Sequence, residues 1–196
     1  MAKILFINSC PREKGVSRTL ALADAFFEEY RKNHLDDEIQ VKNLYEENIH
    51  CYSVDEITKR DTLIGKKAFE NEMFASAREF AAADKIVIAA PYWDLSFPAI
   101  LKAYIEAVCV NGITFHYTAK GAEGLAVFDK LLYLTTSGGY PGKKQLGRDY
   151  VQGICEFLGH GIFLFCSAEG LDIQGNDVSG ILAEVREKVQ KIAQTF

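Results

Sequence analysis

The chain has 196 residues, 48% hydrophobic and 25% charged, a soluble globular composition long enough to bury one sizeable core. A formal net charge of −5 with no basic run argues against nucleic acid and anionic membranes as partners. No apolar stretch reaches the roughly 20 residues of a membrane-crossing helix, and the run Ile4 to Ile7 after Met1-Ala2-Lys3 is too short for a signal-peptide core. The five cysteines (Cys10, Cys51, Cys109, Cys155, Cys166) are scattered and form no Cys-x-x-Cys pair. Zinc and dithiol chemistry therefore have no support, and the expected setting is a reduced cytoplasm.

In chain order, Lys3 to Asn8 reads as a strand apolar on both faces, followed by a loop from Ser9 to Val16. Ser17 suits the N-cap of a helix that runs to about Asn33. Glu38 to Leu44 alternates weakly and reads as a second strand, at an edge. Ser53 and Glu56 fit a capping box opening a short helix to Leu63. Lys67 to Ala82 reads as one helix, with Phe69, Met73, Ala77 and Phe80 on a single face. Ile86 to Ala90 is a third buried strand, broken at Pro91, and Pro98 suits the first turn of a helix over 99–108.

Ile113, Phe115 and Tyr117 then alternate with polar residues in an extended excursion closed by Gly121 to Gly124. Lys130 to Thr135 is the fourth strand, Asp149 to Leu158 a helix, and Ile162 to Cys166 the fifth strand. Asp177 caps a last helix to about Gln194. Five strands alternate with about five helices, without a repeat or a linker, so one domain over 1–196 is expected. Such alternation implies a parallel sheet with helices on both faces. The first βα loop holds one glycine, Gly15, where a dinucleotide fingerprint needs three, and the strand count is five. Both facts favour a flavodoxin-like three-layer sandwich of strand order 2-1-3-4-5.

That order brings the loops after strands one, three and four into one crevice. In the first, Ser17, Arg18 and Thr19 open a helix, where backbone N–H groups and the helix dipole favour a phosphate; Ser17 read alone is equally a plain N-cap. In the second, Tyr92 and Trp93 offer a flat wall or are ordinary half-buried aromatics. In the third, Thr136-Ser137-Gly138-Gly139 allows close backbone approach or is a simple turn. Together they describe a nucleotide with a large planar ring, and FMN meets all three demands.

The motifs Ser9-x-Pro-Arg with Ser17-Arg18-Thr19, Pro91-Tyr92-Trp93, Phe97-Pro98-Ala99-Ile100-Leu101-Lys102-Ala103-Tyr104, Gly112-Ile113-Thr114-Phe115-His116-Tyr117-Thr118 and Thr135-Thr136-Ser137-Gly138-Gly139 resemble the flavodoxin-like NAD(P)H oxidoreductases. These are the FMN-dependent NADH-azoreductases and quinone reductases. The resemblance spans Lys3 to about Gly170. It implies a homodimer with one FMN per subunit, and active sites completed by the partner chain. It implies hydride transfer from NADH or NADPH to the flavin, then to a quinone, azo or nitro compound by two-electron ping-pong.

By position, the resemblance assigns Ser9, Ser17, Arg18 and Thr19 to the phosphate end. It assigns Pro91, Tyr92, Trp93, Asp94, Leu95, Thr136, Ser137, Gly138 and Gly139 to the ring. Phe115, Tyr117 and Tyr140 would line the pocket where nicotinamide and acceptor stack. Asp94 stands where azoreductases commonly carry Asn, Ser137 where they carry Arg, and Cys10 where Ser is usual. A carboxylate at 94 facing the ring would lower the flavin's potential. No residue is nominated as a catalytic base, since the flavin carries the chemistry: His116 alternates away to the surface, His160 reads as a helix-end residue, and His34 and His50 show no partner at catalytic spacing. Two other readings fit the same fold: a flavodoxin-type electron carrier for protein partners, disfavoured because the 112–124 excursion would wall in the flavin, and a flavin-free binding module.

Overall fold

A computed structural model describes residues 1–196. Its elements are β1 (Lys3–Asn8), α1 (Arg18–Asn33), β2 (Glu38–Asn43), α2 (Val54–Gly65), α3 (Ala75–Ala81), β3 (Lys85–Ala89), α4 (Ala99–Val108), β4 (Phe115–Thr118), β5 (Gly121–Gly124), β6 (Lys130–Thr136), α5 (Leu146–Leu158), β7 (Ile162–Ala168) and α6 (Val178–Thr195). The main sheet runs β2-β1-β3-β6-β7 and every pairing in it is parallel. With β6 and β7 as its fourth and fifth strands, this is the 2-1-3-4-5 order expected from the sequence. The excursion after α4 forms a separate antiparallel hairpin, β4–β5.

The apolar strands explain the layers. Ile4, Phe6, Val87, Ala89, Leu132 and Leu134 pack on α1 and α6 through Leu22, Phe26, Val185 and Val189. Leu5, Ile7, Ile86, Ile88, Leu131 and Tyr133 face the other way, onto Phe80 of α3, Leu101 and Tyr104 of α4, and Val151 and Cys155 of α5. Alternate residues of each central strand thus serve opposite cores, which is why these strands are apolar throughout. Each buried Val, Leu, Ile or Phe among them contributes about 1.5–3 kcal/mol by leaving water. No helix is long and apolar enough to cross a membrane.

One expected element is not there as read. Lys67 to Ala82 is not one helix: α2 continues to Gly65, Lys67 adopts a positive φ of 53°, and α3 begins only at Ala75. The Asn71 side chain caps Met73 and starts a short 3-10 turn over Glu72–Phe74. Arg78 donates to the carbonyls of Phe69 and Asn71, satisfying backbone that a helix would have paired internally. Phe69 meanwhile packs where a Cβ on Gly112 would stand, 2.5 Å from its ring. A helical apolar period therefore arose from a turn folded over a small cluster of Phe74, Ala77 and Val110. In addition, α5 starts at Leu146, three residues before the expected Asp149.

The capping box at α2 is present, and it recruits a histidine that spacing did not suggest. The Glu56 carboxylate accepts the Ser53 backbone N–H at 2.8 Å through one oxygen and meets His50 Nε2 at 2.8 Å through the other. The Ser53 amide first, then His50, lower the Glu56 acid to about 2 from an ordinary value of 4.5. The hydrogen bond that His50 donates to Glu56 raises the imidazole above its ordinary 6.5. The Glu56 contribution is therefore present above pH 4.5 and lost as pH falls towards about 2. The His50 contribution is present below pH 6.5 and is lost as pH rises through the elevated folded value. Hydrogen exchange corrected for intrinsic rates should show the first turn of α2 opening in both windows before the sheet does. Constant protection of those amides between pH 4.5 and about 2 would contradict the carboxylate's part.

Candidate functional site

The site is built at the carboxyl ends of β1, β3, β6 and β7. Beyond β1, Ser9 is fully buried, and its amide and hydroxyl both donate to the Ala89 carbonyl, at 2.9 and 3.1 Å. This pins the first loop to the end of β3. The chain turns through Glu13, whose carbonyl accepts from Val16 and Ser17, and enters α1. Ser17 caps that helix by accepting the Leu20 N–H at 3.1 Å. The first-turn amides of Arg18 and Thr19 have no carbonyl one turn back within the helix, and both residues line the crevice. Thr19 shares a buried 2.6 Å hydroxyl contact with Thr136, tying α1 to the end of β6.

The second loop leaves β3 still in sheet pairing: Ala90 and Tyr92 donate to Leu134 and Thr136. Trp93 and Ser96 then exchange both backbone hydrogen bonds, at 3.2 and 2.7 Å, and close a two-residue turn. Its central residues, Asp94 and Leu95, have φ of 48° and 70°. Both positive values define a type I′ turn, a geometry suited to Asn-Gly. The Tyr92 hydroxyl donates to the Lys144 carbonyl at 3.0 Å and sets the ring's orientation.

The third loop is braced by a fourth that the sequence reading missed. Ser137, Gly138 and Gly139 accept from the amides of Leu171, Asp172 and Gly170 respectively. A Cβ on Gly138 would stand 2.3 Å from Asp172 Oδ2, so a side chain there would have to displace the carboxylate lying over it. Arg18 Nη1 reaches across to Asp172 Oδ1 at 2.8 Å and to the Leu171 carbonyl at 3.3 Å. The signal for this loop was in the strand order, because β7 lies next to β6 and its carboxyl end must share the same edge.

These loops enclose a cavity of about 220 Å³ lined by Pro11, Arg12, Ser17, Arg18, Thr19, Pro91, Tyr92, Trp93, Thr136, Ser137, Gly138, Leu171 and Asp172. Nine of the expected site residues are therefore brought together, and Pro11, Arg12, Leu171 and Asp172 are additions. Ser9 does not line the cavity, and its hydroxyl is already engaged by the Ala89 carbonyl. Asp94 and Leu95 stand exposed at the turn's tip, and Gly139 sits at the margin. Tyr140 follows it, 64% exposed, with its hydroxyl accepting from Asn176 at 2.7 Å and its ring against Gly170. Burial pushes the nearby Cys10 thiol up to about 11, so it is no ready nucleophile.

Phe115 and Tyr117 lie elsewhere. Phe115 is buried in the core against Phe157, 4.8 Å between ring centres, in the last turn of α5. Thirteen helical residues carry α5 about 20 Å away from the loop that starts it. The Tyr117 ring packs on Phe115 and is 71% exposed. Gly124, at the hairpin's other strand, lies against the Leu158 and Gly159 backbone. No residue of the 112–124 excursion lines this chain's own cavity.

A larger concavity of about 470 Å³ lies between α1 and β2 and shares Pro11 and Arg12. It lacks the helix N-terminus and the glycine loop that converge on the smaller one. Those groups are suited to an anion: free amides at a helix start and two guanidinium groups. Tyr92, Trp93 and the Gly138 backbone are suited to a flat ring beside it.

A family model described as a flavodoxin-like fold matches residues 2–193. The chain is 41% identical over 201 residues, covering all of both sequences, to an FMN-dependent NADH:quinone oxidoreductase 2 of Clostridium acetobutylicum. It is 40% identical, again over the full length of both, to an FMN-dependent NADH:quinone oxidoreductase of Lachnoclostridium phytofermentans. Among solved structures, an azoreductase from Bacillus anthracis superposes with a TM-score of 0.90 at 28% identity and complete coverage of both chains.

The turn at 94–95 supplies a stability test. Leu95 is 45% exposed, so its side chain buries little, while its φ of 70° strains a branched residue. Leu95→Gly should raise stability by about 0.5–1 kcal/mol, read from the midpoint of chemical unfolding. A lower midpoint would show that Leu95 packing outweighs the strain.

Proposed function

The chain belongs to the flavodoxin-like family, and on that footing we propose that it is an FMN-dependent oxidoreductase using NADH or NADPH to reduce quinones and azo or nitro compounds. The observation that carries the reading is the convergence of the α1 N-terminus, the Tyr92-Trp93 wall and the Gly138 backbone on one cavity. The names of the relatives point to catalysis on small molecules rather than to an electron carrier.

The residues fit the cofactor. The amides of Arg18 and Thr19, with the Arg12 and Arg18 guanidinium groups, would hold the phosphate. Pro91, Tyr92, Trp93 and the 136–138 backbone would hold the ring, with Asp94, Leu95 and Gly139 at its border and Ser9 bracing the first loop. When bound, the flavin accepts hydride from the nicotinamide and passes two electrons to the acceptor in alternation. The protein's part is to fix the ring and leave one face open for both substrates in turn.

Two features support a homodimer with shared sites. The cavity, at about 220 Å³, is smaller than the usual 300–1,000 Å³ of a ligand pocket. Phe115 and Tyr117 stand on a hairpin anchored far from it, with Tyr117 exposed. In a dimer those aromatics would meet the cavity of the second chain and finish the stacking pocket beside Tyr140. We take residues 1–196 as a single FMN-binding domain, and place it in the cytoplasm, where its five free cysteines would stay reduced.

Purified protein should be yellow, or become so with FMN, and should oxidise NADH or NADPH in the presence of a quinone and of an azo dye. A chain that stays colourless with added FMN would overturn the reading, and a yellow chain inert towards both nucleotides would return the electron carrier. Tyr117→Ala should weaken acceptor turnover at least about tenfold if that ring stacks the substrate, while leaving FMN content unchanged. Asp94→Asn should raise the flavin's midpoint potential, because a nearby carboxylate opposes the negative charge gained on reduction. An unmoved redox titration would separate Asp94 from the ring.

A further inference from the structure

Asp172 is the one carboxylate lining the cavity, opposite two guanidinium groups, Arg12 and Arg18. Its position is set from three directions. Its amide donates to the Gly138 carbonyl at 2.9 Å, its carboxylate lies over the Gly138 Cα, and its Oδ1 takes Arg18 Nη1 at 2.8 Å. The Leu171 carbonyl holds the same guanidinium nitrogen at 3.3 Å. Arg18 therefore already has a negative partner before any ligand arrives. The two side chains are 43% and 69% exposed, so the pair is loosely held and open to exchange for a competing anion.

From this arrangement we propose that Asp172 is a charge-selectivity residue of the cofactor cavity. It competes with a ligand phosphate for Arg18 and adds its own repulsion, so it moderates affinity for the doubly charged FMN and leaves the uncharged riboflavin untouched. The proposal rests on the FMN reading above and adds to it a control on how tightly the cofactor is retained. A site with α1's first-turn amides and two unopposed arginines would bind a dianion more tightly and release it more slowly. With the carboxylate present, the cavity gives up part of that attraction, and the cofactor becomes exchangeable.

The test is a flavin-fluorescence titration of the full chain with FMN and, separately, riboflavin, at low and high salt. Asp172→Asn keeps the shape and removes the charge. It should tighten FMN about fivefold at low salt, leave riboflavin within about twofold, and lose most of the FMN gain at high salt. Asp172→Ser should change FMN in the same direction and keeps the test decisive if the Asn variant does not fold. A wild-type chain that binds FMN while both variants match it, bind it more weakly, or shift FMN and riboflavin in parallel overturns the proposal alone. A wild-type chain that quenches neither flavin overturns the FMN reading together with it.

Discussion

Parallel hydrogen bonding between β1, β3 and β6 is the constraint on which the site depends. The ladders pair Asn8 with Ala89 and Ala89 with Leu134, so the three strands end almost in step. Pairing then outlives the strands: Ser9 donates back to Ala89, Ala90 to Leu134 and Tyr92 to Thr136. Loops from distant parts of the sequence leave the sheet at one level because the backbone gives them no other place to leave it. The Thr19–Thr136 hydroxyl contact then fixes α1 to that same edge. A helix N-terminus, an aromatic wall and a glycine loop are each commonplace; a shared strand register turns them into one site.

Much of this was legible in the sequence, and the reason is the two-sided burial of the strands. Runs such as Ile4 to Ile7 and Leu131 to Leu134 are apolar at every position because each face serves its own core. That pattern separates central parallel strands from anything else and, with their number, points to the strand order. The order in turn nominated three loops correctly as neighbours. It implies the loop after β7 as well. Leu171 and Asp172 carry no motif, and only their pairing to the glycine loop makes them part of the cavity.

What was not legible has equally physical causes. Phe69, Met73, Ala77 and Phe80 repeat at helical spacing, but only Ala77 and Phe80 stand on a helix; Phe69 and Met73 are delivered by a turn and a 3-10 segment that Asn71 caps and Arg78 supplies with donors. The period reports where apolar side chains are wanted, not which backbone delivers them. Phe115 and Tyr117 were placed by motif at a pocket wall, whereas the hairpin is anchored at the far end of α5 through Phe157 and Leu158. A single chain's sequence does not say which copy's cavity a hairpin faces, and α5 is long enough to hold this one away from its own.

The Trp93–Ser96 turn has a use beyond shaping the wall. Trp93 is the chain's single tryptophan, it lines the cavity, and it is 43% exposed. The protein's whole indole emission therefore originates from one ring at the site, with no background from elsewhere in the fold. Occupancy of the crevice is written into the intrinsic optical signal of the native chain, which makes the molecule its own unlabelled reporter for whatever enters beside that ring.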